Sequence, residues 1–134
     1  MVNQISIFTE NKKGAMLRMT EIISDAGINL LSAVTNDSAE YGIVRLIVSD
    51  PDKSYQVLTD AGYLCKKTSV IVVEIPDEAG SLKKLLEAVD EACINIDYIY
   101  SGNNRETHMP LMIMHTLDGE MLEQNLRSKG FKIL

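Results

Sequence analysis

The chain has 134 residues, of which 46% are hydrophobic and 24% charged, as in an ordinary globular protein. Its 19 acidic residues outnumber its 13 lysines and arginines, and the net charge of −6 argues against a nucleic-acid partner, which needs a basic face. No apolar run is long enough to span a bilayer, and the start of the chain does not resemble a signal peptide. Cys65 and Cys93 are isolated and suit reduced thiols, so we expect a cytoplasmic protein without a membrane partner.

The first half predicts the element order βαββαβ. Alternating apolar residues indicate strands, and apolar residues at three- and four-residue steps indicate helices. Gly27 suits a left-handed helix end, and Asp50 followed by Pro51 marks a helix start. The predicted elements are a strand at 4–9, a helix from Ala15 that ends at Gly27, strands at 29–35 and 41–48 separated by a turn at 36–38, a helix from Pro51 that ends at Gly62, and a strand at 63–66.

The second half predicts the same order. Cys93 takes the place of Gly27, so we expect this helix to end in another geometry. The predicted elements are a strand at 70–75, a helix after Gly80 with Leu82, Leu85, Leu86, Val89 and Ala92 toward the core, a strand at 95–100, a turn at 101–104, a strand at 111–116, a helix at 118–128 and a strand at 131–134.

The two halves are an internal repeat. Gly14 and Gly80 lie 66 positions apart, as do Asn29 and Asn95. After a two-residue insertion the spacing becomes 68, as between Gly62 and Gly130. The repeat predicts two domains, at 1–68 and 69–134.

Two βαββαβ units predict an α+β protein. Each unit should form an antiparallel four-stranded sheet with both helices on one face, and right-handed crossovers make the arrangement ferredoxin-like. Units of this size bury a limited fraction of their surface, so we expect the two units, or two chains in a homodimer, to cover each other's open sheet faces.

The repeated pattern resembles the ACT domain. Its features are a hydrophobic strand, a loop containing Asn or Asp that ends in Gly, a helix, and Gly-Ile-Asn-Leu opening the next strand, here at 27–30. The whole chain resembles a stand-alone tandem ACT protein without a catalytic domain. That resemblance implies a regulatory protein of amino-acid metabolism that binds an effector at the interface between ACT units and acts allosterically.

The resemblance also implies the ligand-binding residues. The family's loop has Pro before its Gly, where this chain has Lys13 and Ala79. The implied residues of the first half are Asn11, Lys12, Lys13, Gly14, Ala15, Asn29 and Leu30, and those of the second half are Asp77, Glu78, Ala79, Gly80, Asn95 and Ile96.

The residue types suit an amino acid. Backbone N–H groups at the helix starts after Gly14 and Gly80 favour a carboxylate, and Asp77 or the amide oxygen of Asn11 can accept hydrogen bonds from an ammonium group. Because the two loops differ in sequence, the two sites need not be equivalent.

Other functional classes have weaker signals. No catalytic motif, cofactor motif or phosphate loop is present, so we expect no enzyme and no cofactor. His108 and His115 are too far apart on a strand to hold one metal ion, so we expect no metal site. The expected partners are an amino acid or related acid, and a metabolic enzyme. The alternative function is a structural or assembly subunit of an enzyme complex that binds no ligand.

Overall fold

The chain folds into two compact units. The computed structural model describes residues 1–35 and 41–134, and the predicted turn at 36–38 lies outside them. One unit is Asn3–Thr68, and the other is Ser69–Leu134 together with Met1–Val2. We call them the first and the second unit. Within the described residues, no helix is both long enough and apolar enough to cross a membrane.

The first unit has the ferredoxin-like strand order. Its sheet runs β4-β1-β3-β2, and β3 is antiparallel to both neighbours, with Leu46 opposite Ile5 on one side and Ala33 on the other. The elements are β1 Val2–Glu10, α1 Ala15–Asp25, β2 Leu30–Thr35, β3 Tyr41–Val48, α2 Pro51–Asp60 and β4 Leu64–Glu74, of which residues 64–68 belong to this unit.

The second unit repeats this order. Residues 69–74 of β4 take the place of β1, and the sheet runs β7-β4-β6-β5 with antiparallel pairing throughout. The further elements are α3 Ser81–Glu91, β5 Tyr98–Asn103, β6 Pro110–His115, α4 Gly119–Ser128 and β7 Lys132–Ile133. Both units are therefore ferredoxin-like α+β folds.

Each unit has its own hydrophobic core between the sheet and its two helices. In the first, Ile5 and Ile7 of β1 pack with Met19 and Ile23 of α1 and Leu58 of α2. In the second, the core is formed by strand residues Ile71, Val73 and Met114 with helix residues Leu85, Val89, Leu122 and Leu126. The α3 stripe is narrower than predicted, because Leu82 and Leu86 are 40% and 39% exposed.

Three predicted strand boundaries are wrong. The strand predicted to begin at Asn95 begins at Tyr98. The strands predicted at 63–66 and 70–75 form the single strand β4, because residues 67–69 contain no Gly, Pro or Asn to interrupt it. The predicted turn at 101–104 begins later, because Ser101–Asn103 complete β5 and pair with β6. Asn104 then forms the turn: its side-chain oxygen accepts from the N–H of Glu106 at 2.9 Å and of Thr107 at 3.4 Å.

The first helices of the two units end in the same way. The backbone is left-handed at Gly27, with φ 74°, and also at Cys93, with φ 57°. The expectation of another geometry at Cys93 is therefore wrong. The N–H of Ile28 donates to Ile23 O, and the N–H of Ile94 donates to Val89 O, so both ends close the same hydrogen-bonded turn.

Candidate functional site

The loops between the first strand and the first helix have the same backbone geometry in both units. Gly14 and Gly80 precede α1 and α3 with φ values of 82° and 91°, a left-handed conformation that favours glycine. The N–H of Arg18 donates to Gly14 O, and that of Lys84 to Gly80 O, at 3.0 Å in each case.

Neither helix start has a side-chain cap. No side chain accepts a hydrogen bond at the cap position of α1 or α3. The first N–H groups of a helix have no partner within the helix, and the helix dipole places partial positive charge there. The first N–H of each helix donates within its own loop, from Ala15 to Lys12 O and from Ser81 to Glu78 O, so the N–H groups that follow are the ones offered to an anion such as a carboxylate.

The first loop borders a groove, which we call the first groove. Its volume is about 340 Å³. Of the predicted residues, Asn11, Lys12 and Ala15 line it, and Lys13 and Gly14 do not. The remaining lining residues are Thr9, Glu10, Met16, Thr35, Gly42 and Val44.

Charged and polar groups of both kinds meet in the first groove. Lys12 Nζ lies 3.0 Å from Glu10 Oε2, and both side chains are more than half exposed. The amide of Asn11 and the hydroxyls of Thr9 and Thr35 add donors and acceptors. The groove can therefore meet a positive and a negative group on one small molecule.

Sequence reasoning missed Thr35 and Gly42. Thr35 pairs with Val44 across β2 and β3, and Gly42 pairs with Thr9 across β3 and β1. The sheet register brings them to the end of β1 where the loop begins, and Gly42 has no side chain to fill the groove. An alignment of β1 with β3 would have been the signal for Gly42, and an alignment of β2 with β3 the signal for Thr35.

Asn29 and Leu30 lie at the other end of the first sheet. Asn29 N–H donates to Ser49 Oγ, and Ser49 N–H donates to Asn29 O, both at 2.9 Å. The six residues of β2 separate Leu30 from Thr35, which corresponds to roughly 17 Å of strand. Leu30 also packs against the core. Within the unit, the structure does not bring these two residues to the loop, and their role in ligand binding stays a prediction.

Asn95 and Ile96 are placed similarly in the second unit. Asn95 is exposed, and Ile96 packs against the core. Both precede β5, whose first residue Tyr98 pairs with His115 at the end of β6, whereas the loop before α3 follows the end of β4. Their contribution to a ligand site also stays a prediction.

The second loop borders a cavity, which we call the second cavity. Its volume is about 400 Å³. Of the predicted residues only Glu78 lines it, while Asp77, Ala79 and Gly80 are exposed beside it. The full lining is Glu74, Ile75, Pro76, Glu78, Ser81, Lys84, Met109, Lys129, Gly130, Phe131 and Lys132. Most of these residues were not predicted, because they come from the end of β4, from α3, from the segment before β6, from the turn between α4 and β7, and from β7.

Glu74 is the most strongly bonded side chain in the second cavity. Its carboxylate accepts hydrogen bonds from Lys132 Nζ, Thr107 Oγ1 and Asn104 Nδ2, each at 2.7 Å. The bond from Lys132, followed by that from Thr107, lowers the pKa of Glu74 below the ordinary value of a glutamate. Glu74 therefore stays ionised at neutral pH.

The two histidines have separate environments. His115 Nδ1 lies 2.9 Å from Asp97 Oδ2, and its ring stacks on Tyr98 with centroids 5.1 Å apart. His108 lies in the turn before β6 with φ 59°. Among residues 1–35 and 41–134, no three His, Cys, Asp or Glu side chains come together as a set of metal ligands.

A solved structure matches the chain over nearly its whole length. It is protein BT0572 from Bacteroides thetaiotaomicron, which is 32% identical, with a TM-score of 0.92 over 99% of this chain and 91% of that one. None of the curated proteins compared with the chain matches it in sequence.

More distant structures share the fold. The ligand-free regulatory subunit of aspartate kinase from Thermus thermophilus is 11% identical, with a TM-score of 0.68 over 96% of this chain and 92% of its own. The regulatory subunit of aspartate kinase from Thermus flavus is 12% identical, with a TM-score of 0.63 over 94% and 90%. The family model described as an ACT domain pair matches residues 1–120, and the chain therefore belongs to the ACT domain pair family.

Proposed function

We propose that the chain is a regulatory protein that binds an amino acid in the first groove. The observation that carries this proposal is the meeting of Lys12, Glu10 and Asn11 in one groove at the start of α1. A free amino acid carries a carboxylate and an ammonium group, so its site needs a cation or N–H donors for the first and acceptors for the second.

The ion pair between Lys12 and Glu10 can be exchanged for ligand contacts. The two side chains are 58% and 63% exposed, and ion pairs between exposed side chains contribute little to stability. A bound amino acid would direct its carboxylate to Lys12 and to the uncapped N–H groups of α1, and its ammonium group to Glu10 and the Asn11 amide oxygen. Both protein charges would keep a partner of opposite sign.

The size of the first groove suits a small ligand. Its volume of about 340 Å³ lies at the lower end of the range for small-molecule sites. The second loop carries Asp77 and Glu78 where the first carries Asn11 and Lys12, so it lacks the cation of the first loop. We therefore assign the amino acid to the first unit.

Binding would act through a change in assembly. The likeness to regulatory subunits of aspartate kinase supports a role beside an enzyme rather than a catalytic step in this chain. We infer that the ligand favours one packing arrangement of the chain in a homodimer or on an enzyme partner, and that this shift is the signal. Light scattering of the purified chain with and without ligand would measure the change in mass.

A thermal-shift screen tests the ligand. The purified chain is heated with each of the twenty amino acids and with their 2-keto acids. A ligand at a hundred times its Kd stabilises the folded state by about 2.7 kcal/mol, which raises the Tm by several degrees. We expect at least one amino acid to do so, and we expect the shift to disappear in Asn11→Ala and in Lys12→Ala.

The control variant is Asn3→Ala. It removes an exposed asparagine near the start of β1, the strand that leads into the first loop, and Asn3 does not line the first groove. It should keep the full shift. A screen in which no amino acid raises the Tm, or a shift that survives in both loop variants, would overturn the proposal.

A further inference from the structure

The second cavity has the residues of a separate binding site. We infer that it binds a small organic acid, with the anionic head at Lys84 and Lys129 and the apolar body against Ile75 and Phe131. These residues line one cavity of about 400 Å³, which is large enough for such a molecule. The inference goes beyond the amino-acid site, because it concerns other residues, in the other unit, and a ligand without an ammonium group.

The first unit provides an internal comparison. By the repeat spacing, Lys129 corresponds to Ala61, Lys132 to Leu64 and Ser81 to Ala15. The second unit thus has two ammonium groups and a hydroxyl where its counterpart has only apolar side chains. These three residues lie at the turn from α4 to β7 and at the start of α3, whereas Lys84 corresponds to Arg18, so the positive charge at that position is common to both units. A packing requirement shared by both units does not account for the three differences.

The charges of the second cavity leave a place for an anion. The lining has three lysines and two glutamates. Lys132 is held by Glu74 at 2.7 Å, so this pair is satisfied.

Two ammonium groups remain for a ligand. Lys129 forms an ion pair with Glu91, the last residue of α3, whose side chain is 69% exposed, so exchanging this contact for a ligand costs little stability. Lys84 has no ion-pair partner within the part of the chain that the structure describes. An anion between Lys84 and Lys129 would therefore gain one unpaired and one weakly paired ammonium group.

Ser81 adds a buried donor. It is only 6% exposed, it lines the second cavity, and its hydroxyl has no hydrogen-bond partner among the described residues. Buried polar atoms are nearly always hydrogen-bonded, so the unpartnered hydroxyl of Ser81 needs an explanation, and a bound ligand is one that fits its place in the cavity. Ser81 is also the first residue of the 11-residue helix α3, where the helix dipole favours negative charge.

The apolar part of the lining selects an organic acid over an inorganic anion. Pro76, Met109 and Phe131 line the same cavity as the lysines, together with Ile75, which also belongs to the hydrophobic core. An inorganic ion would leave this surface in contact with water, whereas the hydrocarbon body of an organic acid would bury it.

The test is a titration of the ¹⁵N-labelled full chain followed by NMR. The probes are phenylacetate and inorganic phosphate, at constant ionic strength. Phenylacetate should shift the amide signals of residues 74–84 and 129–132 saturably and leave those of residues 9–16 unchanged. Its Kd should rise about tenfold in Lys84→Gln and in Lys129→Gln, and phosphate should bind at least about tenfold more weakly than phenylacetate.

Two further variants complete the experiment. Lys83→Gln removes the neighbouring exposed lysine of α3, which pairs with Glu87 outside the cavity, and should leave the Kd unchanged. Ser81→Ala should weaken phenylacetate while the backbone spectrum of the free protein is preserved.

Three results would overturn the inference: no saturable shifts, the same Kd in Lys84→Gln as in Lys83→Gln, or tighter binding of phosphate than of phenylacetate. The amino-acid proposal would be unaffected by any of them, since it depends on Asn11 and Lys12.

Discussion

Cys93 of the second unit and Gly27 of the first hold the same left-handed backbone position, with φ values of 57° and 74°. The N–H of each donates to the carbonyl three residues earlier, at 2.9 Å in both units. Only the cysteine has a Cβ, and for residues with a Cβ this conformation costs about 1–2 kcal/mol. The second unit therefore retains the turn of the first with a less suitable residue.

Replacing Cys93 with glycine should stabilise the protein. The relief of backbone strain exceeds the added entropy of a glycine in the unfolded chain, so we expect a gain of about 0.5–1 kcal/mol in the free energy of unfolding. Cys93 is exposed, and little packing is lost. Urea titrations of wild type and Cys93→Gly would measure the gain. In the matched variant Gly27→Ala, nothing lies within 4 Å of the new Cβ, so a loss of about 1 kcal/mol would come from the backbone alone. Equal stabilities of Cys93→Gly and wild type would contradict the assignment of strain.

Two aspartates at helix starts should differ in their effect on stability. Asp50 Oδ1 accepts from the N–H of Lys53 at 3.1 Å, whereas Asp118 makes no such side-chain bond at the start of α4. We expect Asp50→Ala to cost about 1 kcal/mol and Asp118→Ala less than half of that. Chemical unfolding of both variants gives the comparison. Since both carboxylates also interact with a helix dipole, the difference between the variants isolates the capping hydrogen bond, and a difference of zero would show that the bond contributes nothing.

Two adjacent leucines of α3 should differ in how much they contribute to stability, because they differ in burial. Leu85 is fully buried, and Leu86 is 39% exposed. Leu85→Ala should cost about 3 kcal/mol, because it leaves a cavity in the core, and Leu86→Ala less than about 1 kcal/mol. Urea unfolding of both variants would measure the two losses, from the shifts in midpoint concentration when the m-values equal that of wild type. Similar losses in the two variants would mean that Leu86 is covered in solution, for example by a second copy of the chain.

The free energy of unfolding should decrease in acid because Glu74 becomes protonated and loses its charged hydrogen bonds. Its pKa is lowered in the folded protein by Lys132 and Thr107, so its contribution is complete above the ordinary carboxyl pKa of 4.5 and is lost as the pH falls through the lowered value. Wild type should therefore exceed Glu74→Gln in stability at pH 7, and the two proteins should converge as the pH falls well below 4.5. Urea midpoints at a series of pH values test this. A difference that does not change with pH would show that the charge of Glu74 is not involved.

The repeat in the sequence was sufficient for the architecture. The recurrence of Gly14 at Gly80 marked the same loop in both units, and the structure gives both glycines a left-handed conformation. Local patterns of this kind are visible because the responsible residues are close in sequence. The predicted break within β4 was wrong although residues 67–69 contain no strand-breaking residue, because the division of the repeat was taken as the end of a strand.

The residues that line the first groove and the second cavity could not be predicted from local sequence patterns in the same way. Thr35 and Gly42 reach the first groove only through the register of β2, β3 and β1, and Lys129 reaches the second cavity only because α4 and the turn after it lie against α3. Lysine at the end of a helix is also the usual composition of an exposed surface. Such residues acquire a possible binding role from tertiary placement, which single-sequence patterns do not encode.

The three hydrogen bonds of Glu74 have a consequence for how the two repeats diverged. The longer turn of the second unit is held by Glu74 through Asn104 and Thr107, and Lys132 balances the charge of the carboxylate. At the corresponding positions of Glu74 and Lys132 the first unit has Phe8 and Leu64. A transplant of residues 104–108 alone would find neither acceptor nor counter-ion there. The turn residues, Glu74 and Lys132 therefore depend on one another, and a chimera should tolerate the turn only when all of these residues are transferred together.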